Sequence, residues 1–182
     1  MSSMVDHYLR CSNLKKMLLD SGTIVEKTLH GTGGREVHFQ YVLNMQKCCK
    51  EEWEKKEQEA IRFGVVDYAK KNPDGSSGVR RDLTDEEVEE LRYWPIEFSK
   101  DDEVNWMCKW NNNDDPAFFI SKLFPDSQFE YEIFCECDWC GNFYVKDGEF
   151  EPTEEWKVHM EEVVQEYDDD DAVGGSDETL PF

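Results

Sequence analysis

The sequence predicts an α+β fold in which an antiparallel sheet carries helices mainly on one of its faces. Residues 129–139 place apolar or cysteine side chains at odd positions and acidic ones at every even position except Phe134. This alternation is typical of a strand with one buried face. Elsewhere apolar residues recur every three or four positions between turn or capping residues, which is typical of amphipathic helices.

The first predicted element is an extra helix at the N-terminus. Met4, Tyr8 and Cys11 lie at helical spacing, and the leucines of residues 14–19 continue the same pattern. Gly22 follows the last periodic residue, and a glycine in that place is a helix stop signal. The helix is therefore expected to end near this glycine.

A β-hairpin is expected next. Residues 23–25 and 37–42 are rich in β-branched and aromatic side chains, and they flank the glycine cluster at 31–34. A glycine cluster after a strand can also bind phosphate, but here no Lys-Ser or Lys-Thr pair follows. The sequence therefore favours a hairpin turn over a phosphate-binding loop.

A long helix is predicted over residues 46–71. Opposite charges four positions apart would stabilise its exposed face. Cys48 and Cys49 are neighbours, and neighbours on a helix point about 100° apart. One of these cysteines is expected in the core and the other at its boundary. The Asn, Pro, Gly and Ser residues at 72–78 predict a loop.

The second half begins with a helix that carries a capping signal. Thr84 is followed three positions later by Glu87, so that each side chain can bond to the backbone N–H of the other. The helix should end before Pro95. Residues 104–110 then alternate between apolar and polar side chains, which predicts a strand, and Pro116 begins a short helix.

A second hairpin provides the clearest local signal. Its first strand is residues 129–139, its turn is Cys140-Gly141-Asn142, and its returning strand is residues 143–145. Thr153 is expected to cap an acidic C-terminal helix. Residues 168–182 are expected to form a disordered acidic tail.

The chain is expected to form a single fold whose charge is divided unevenly. Residues 1–81, with the N-terminal helix, hairpin and long helix, carry 14 Lys and Arg against 11 Asp and Glu. Residues 82–150 carry 5 against 19, and residues 151–182 carry 1 against 12. The acidic half, 82–167 with the C-terminal helix, and the tail therefore hold all the excess of negative charge. This asymmetry favours a basic partner and disfavours binding to nucleic-acid phosphates.

The seven cysteines are interpreted first as free thiols, because they show no spacing of a secreted disulfide framework. Cys135, Cys137 and Cys140, with Cys108 or a histidine as a fourth ligand, could instead bind zinc. However, Cys135 and Cys137 continue the apolar side of the strand, which favours burial. No cofactor is expected, and zinc is kept as an alternative. A redox role is disfavoured because no helix N-terminus follows to lower a thiol pKa.

Enzymatic chemistry is not expected. Asp126 with Glu155 and Lys157 partly matches a metal-dependent nuclease, but Glu155 should begin a helix, and an acidic enzyme would be repelled by DNA. The four histidines have no partner at a catalytic spacing, and no Walker loop or nucleophile elbow occurs. A nuclease-like enzyme is the third hypothesis.

The candidate binding surface consists of carboxylates on the second hairpin and on the C-terminal helix. They are Glu130, Glu132, Glu136, Asp138, Glu154, Glu155, Glu161 and Glu162. Most charged runs are merely solvated faces, but here part of the charge lies on a strand, where self-repulsion costs stability. Duplex DNA carries about one charge per 1.7 Å of axis, and ordered carboxylates can imitate that density. The pattern therefore predicts a DNA-like surface for a basic protein.

The segment from Val104 to Gly148 resembles a known family. Its Asn105-Trp106, Lys109-Trp110, Pro116, Phe124-Pro125-Asp126 and Gly141 turn are similar to the YubB-type domain of plasmid and phage accessory proteins. That resemblance implies a ferredoxin-like sheet. The chain departs from the family pattern in its cysteine-rich hairpin and its N-terminal elements. In overall character the chain also resembles anti-CRISPR proteins that inhibit Cas9.

These observations lead to one leading functional hypothesis. The protein is expected to be a non-enzymatic phage inhibitor that binds a basic nucleic-acid-handling protein, namely a Cas9-type nuclease with its guide RNA, and blocks DNA recognition. The alternative is a zinc-stabilised protein-interaction module. Because the sequence has neither a membrane-length apolar run nor a signal-peptide pattern, the expected location is the cytoplasm of a bacterial host.

Overall fold

A computed structural model describes residues 4–30, 35–109, 114–135 and 140–160. The fold is mixed α+β with antiparallel sheets, as predicted. In chain order the elements are β1 (Met4–Arg10), α1 (Leu14–Ser21), β2 (Ile24–His30), β3 (Glu36–Asn44), α2 (Met45–Cys48), α3 (Lys50–Phe63), β4 (Val65–Lys71), β5 (Ser77–Arg81), α4 (Asp85–Leu91), β6 (Tyr93–Pro95), β7 (Glu97–Lys100), β8 (Glu103–Lys109), α5 (Asp115–Leu123), β9 (Phe129–Cys135), β10 (Cys140–Lys146), β11 (Glu149–Pro152) and α6 (residues 154–160).

The main sheet has six strands in the order β11-β10-β9-β1-β8-β7, and each neighbouring pair is antiparallel. A second sheet has the order β2-β3-β6, and β4 pairs with β5 in a third. A ferredoxin-like arrangement is not confirmed, because the main sheet is larger than the four strands of that fold. The predicted hairpin of β2 and β3 is confirmed, and its turn at 31–34 lies outside the described residues.

The predicted N-terminal helix is wrong over residues 4–10, which form the strand β1 in the middle of the main sheet. Val5, His7 and Leu9 are buried, and the residues between them are half-buried. Because His7 is a polar residue on the buried face, it hides the period of two in the sequence. The helix begins only at Leu14, and it ends at Gly22 as predicted, with φ of 68°.

The prediction of one continuous helix over residues 46–71 is wrong in two places, because the helix is interrupted at Cys49 and ends before Gly64. Cys49 is extended, with φ of −152°, and separates α2 from α3. Gly64 has φ of 62°, which favours glycine, and a Cβ there would collide with the carbonyl oxygen of Arg81. The following residues form β4 instead of more helix. Cys48 is buried and Cys49 is half-buried, as predicted.

Elements with strong local signals are confirmed. Thr84 and Glu87 form a complete capping box at the start of α4, and Pro116 lies in the first turn of α5. The alternation of the second hairpin is confirmed over β9, while residues 136–139 and 161–182 lie outside the described ranges. The predicted turn at Cys140 is wrong, because this residue already pairs with Phe134 within β10.

The core lies on one face of the main sheet, the inner face. Helices α1, α2 and α5 contribute Leu14, Met45 and Phe119 to the same buried cluster as Leu9 and Tyr131 of the strands. The opposite face, called the outer face below, is therefore not covered by these helices. None of the helices in the described ranges is long and apolar enough to cross a membrane.

Candidate protein-binding surface

The outer face of the main sheet is strongly acidic. Directly paired residues in an antiparallel sheet project to the same side, so the register assigns side chains to each face. Among the described residues the outer face carries seven carboxylates, namely Asp6, Glu97, Glu103, Glu130, Glu132, Glu149 and Glu151. The register places four basic residues on the same face, namely Arg10, Lys100, Lys109 and Lys146. The charge predicted from alternation in one strand therefore extends across the whole sheet.

Large apolar side chains are exposed among these carboxylates. Met107 is 56% exposed and Phe134 is 48% exposed, and both lie beside Asp6 in the register. Tyr144 lies between Glu130 and Glu151 and is 38% exposed. Methionine and aromatic residues are enriched in protein interfaces, where they supply contact area between polar groups. The outer face thus combines charge with apolar anchors.

One of the predicted residues, Glu132, is held in an ion network. Arg10 donates from Nη1 to Glu132 Oε2 at 2.8 Å and from Nε to Glu103. Glu103 also accepts a hydrogen bond from Ser99, and this bond together with the Arg10 contact lowers the pKa of the Glu103 carboxyl. Two carboxylates share one guanidinium, so the network keeps a net negative charge and fixes its geometry.

The predicted residues of the hairpin and the C-terminal helix are partly brought together. Glu132 and Glu155 line one shallow cleft of about 220 Å³ with Trp156 and His159. Glu154 is exposed but forms an ion pair with Lys157 at 2.8 Å. Glu136, Asp138, Glu161 and Glu162 lie outside the described residues.

The predicted cap of the C-terminal helix is confirmed. Thr153 Oγ1 accepts a hydrogen bond from the backbone N–H of Trp156 at 3.3 Å. The Thr153 N–H in turn donates to the backbone carbonyl of Asn142 in β10 at 3.0 Å. The second bond attaches the start of α6 to β10 at Asn142, which pairs with Glu132 of β9.

The cysteines proposed as zinc ligands are distributed over different strands. Cys108 and Cys135 are both buried, and both pair with Val5 from opposite sides of β1. Two strand spacings separate their backbones by roughly 10 Å. The backbone of Cys140 pairs with Phe134, and Cys137 lies outside the described residues. Within the described ranges no three His, Cys, Asp or Glu side chains form a group that could hold a metal ion.

The nuclease-like residues also lie on separate elements. Asp126 is exposed in the segment between α5 and β9, while Glu155 and Lys157 lie on α6. Lys157 makes ion pairs with Glu151 at 3.4 Å and with Glu154 at 2.8 Å. The geometry therefore ties this lysine to neighbouring carboxylates of the acidic surface.

A buried polar chain on the inner face was not predicted. The Tyr131 hydroxyl accepts a hydrogen bond from His7 Nδ1 at 2.6 Å and donates one to Asp114 at 2.6 Å. The His7 ring stacks on Trp106, with 5.2 Å between ring centroids. His7 is 0% exposed and Tyr131 is 1% exposed, so a substrate has no access to them. The sequence signal was a histidine at an apolar position of an alternating strand.

Burial shifts both titratable groups of this chain away from ionisation. It lowers the pKa of His7 from 6.5 to about 4. Burial, followed by the hydrogen bond to Asp114, raises the pKa of the Tyr131 hydroxyl. Both side chains are therefore uncharged at neutral pH, and the hydrogen bond between them holds β1 against β9.

Acidification is expected to destabilise the protein through His7. Between pH 6.5, the ordinary pKa, and about pH 4, only the unfolded chain binds a proton at this residue. The contribution of neutral His7 to the free energy of unfolding is complete above the pKa of the unfolded state. It is lost as the pH falls towards the pKa of the folded state, and the total loss is up to about 3 kcal/mol. Urea unfolding at neutral and acidic pH would measure this loss.

A His7→Gln variant should lose that part of the acid sensitivity even if it is less stable at every pH. The matched control is His38→Gln, because His38 lies exposed on the second sheet. It should keep the wild-type dependence on acid. An unchanged acid sensitivity in His7→Gln would contradict the attribution of the acid-induced loss of stability to His7.

Comparisons with known proteins do not extend this description. No protein-family model matches the chain, and neither a curated protein nor a solved structure matches it significantly. The composition and geometry of the outer face are therefore the features of the molecule that bear on its function.

Proposed function

We propose that this protein is a non-enzymatic inhibitor that binds a basic nucleic-acid-handling protein through its outer face. The observation that carries the proposal is the excess of seven acidic residues over four basic ones on one described sheet face. A protein that holds nucleic acid in a positively charged channel offers the complementary charge. Occupation of that channel would exclude DNA.

The proposed target is a Cas9-type nuclease with its guide RNA, acting in a bacterial cytoplasm. The resemblance of residues 104–148 to phage and plasmid accessory proteins supports this choice, as does the overall likeness to anti-CRISPR proteins. The carboxylates proposed to meet the target's cations are Glu130, Glu132, Glu154 and Glu155, together with Glu136, Asp138, Glu161 and Glu162. Direct binding to nucleic acid or to a membrane is not part of the proposed function.

We also infer a ferredoxin-like core within the six-stranded sheet. Strands β8 and β9 are both antiparallel to β1, which lies between them, and α5 connects them. The order β9-β1-β8-β7 is that of a split β-α-β arrangement. On this interpretation β10 and β11 are an added hairpin, which widens the acidic face with Glu149 and Glu151.

The test is a competition between this protein and DNA. The full chain is titrated into a Cas9-type ribonucleoprotein that has bound labelled target DNA. Release of the DNA is expected. The apparent affinity of this protein for the ribonucleoprotein should weaken in proportion to the DNA concentration. Simultaneous binding of DNA and the protein to one ribonucleoprotein would contradict the proposal, as would an unchanged affinity for DNA.

A further inference from the structure

An open cavity of about 420 Å³ lies at one end of the outer face. Its floor is a row of paired residues, Tyr8, Asn105 and Glu97, which crosses β1, β8 and β7. Its wall is the aromatic segment that begins with Tyr93 and Trp94. A volume of this size is within the range of about 300 to 1,000 Å³ that is usual for ligand pockets.

The cavity is negatively charged and its carboxylates are not neutralised. Asp6 and Glu97 line it, and the carboxylate of neither residue forms an ion pair or hydrogen bond within the described part of the chain. No lysine, arginine or histidine is among the lining residues that the structure describes. Burial raises the pKa of Tyr8, and the nearby charges of Asp6, Glu103 and Glu132 raise it further, as expected in a negative field.

The aromatic rings around the cavity already attract cations of the chain itself. Lys27 Nζ lies 3.9 Å from the centre of the Tyr93 ring, and the Arg10 guanidinium lies 5.7 Å from that of Tyr8. Both cations have carboxylate partners elsewhere, such as Glu89 for Lys27. Trp94 is half-buried, and no cation lies over its ring among the described residues. Tryptophan is the strongest of the aromatic side chains in cation–π contacts.

We propose that this cavity binds an arginine side chain that the basic partner inserts. Arginine fits both features of the lining, because its flat guanidinium stacks on aromatic rings and bonds to carboxylates with two parallel donors. The cavity is larger than one guanidinium, so the aliphatic stem and a neighbouring residue also enter. The identity of the physiological ligand rests on the proposed function. The cavity would give the interface with the basic partner an apolar anchor that charge alone does not supply.

The probe is an acetylated Gly-Arg-Gly amide, and its control is the same peptide with citrulline, a neutral isostere of arginine. Binding is followed by the NMR shifts of the full chain. The largest shifts are expected at Tyr8, Trp94 and Asn105, and the citrulline peptide should bind at least about tenfold more weakly. Shifts spread evenly over the outer face, or equal binding of the citrulline peptide, would overturn the site.

Two charge-matched variants separate the cavity from the rest of the face. Asp6→Asn with Glu97→Gln should weaken binding of the arginine peptide at least about tenfold. Glu130→Gln with Glu149→Gln should change its affinity less than about twofold. Equal effects of the two variants on the peptide would overturn the site.

The same variants distinguish failure of the cavity from failure of the proposed function. If Asp6→Asn with Glu97→Gln leaves binding of the basic protein unchanged while charge reversal elsewhere on the face abolishes it, the cavity inference is wrong and the inhibitor proposal stands. If the arginine peptide occupies the cavity but no basic protein binds the face, the cavity stands and the inhibitor proposal is wrong.

Discussion

Replacement of Glu130 and Glu155 by lysine is expected to weaken binding to the basic partner at least about a hundredfold, because each change turns an attraction into a repulsion. Both side chains are exposed and form no ion pair within the described ranges, so the fold does not depend on them. The measurement is the dissociation constant of the complex with a Cas9-type ribonucleoprotein. Circular dichroism would establish that the variant remains folded.

A matched control keeps the change in net charge and moves it to another element. Glu51 and Glu59 are exposed on α3, whose Trp53 packs against Phe119 on the inner side of the sheet. Their replacement by lysine should alter the dissociation constant less than about threefold, since surface charges distant from an interface are screened. An equal loss in both variants would mean that total charge, and not the outer face, determines binding.

Replacement of Tyr131 by alanine is expected to lower the free energy of unfolding by about 4 kcal/mol. The ring stacks on Trp106 with 5.8 Å between centroids, and the hydroxyl joins His7 to Asp114. The substitution leaves a cavity, and it removes the hydroxyl partner of buried His7 and of half-buried Asp114. Thermal unfolding should show a fall in Tm of about 10 °C for a chain of this size.

Two further tyrosine variants define the cause of that loss. Tyr144→Ala, on the neighbouring strand and facing outward, should cost less than about 1 kcal/mol. Tyr131→Phe keeps the ring and should cost about 1 to 2 kcal/mol through the lost hydrogen bonds alone. If Tyr131→Ala were as mild as Tyr144→Ala, the buried chain would not be holding the core.

Local signals in the sequence predicted those elements whose residues act on their immediate neighbours. The capping box of Thr84 and Glu87 and the alternation of β9 need no knowledge of distant residues. The prediction failed where a distant contact decides the structure. His7 is buried because it bonds to Tyr131, 124 positions away, and Gly64 ends a helix where the backbone of Arg81 approaches.

The candidate surface was predictable only in part for the same reason. Alternation within β9 placed Glu130 and Glu132 on the exposed side. The contributions of Asp6 and Glu97 depend on strand order, since β1 and β7 are far apart in the chain and only the sheet brings them to one face. The cavity that these two residues line was therefore not visible in the sequence.

The central claim is that the outer face meets cations of a partner protein. Its most direct test is the dissociation constant of the complex at increasing salt, since raising salt from about 0.1 to 1 M shortens the screening length from about 10 to 3 Å. The dissociation constant is predicted to rise at least about tenfold over that range. A dissociation constant that stays the same at every salt concentration would contradict the claim.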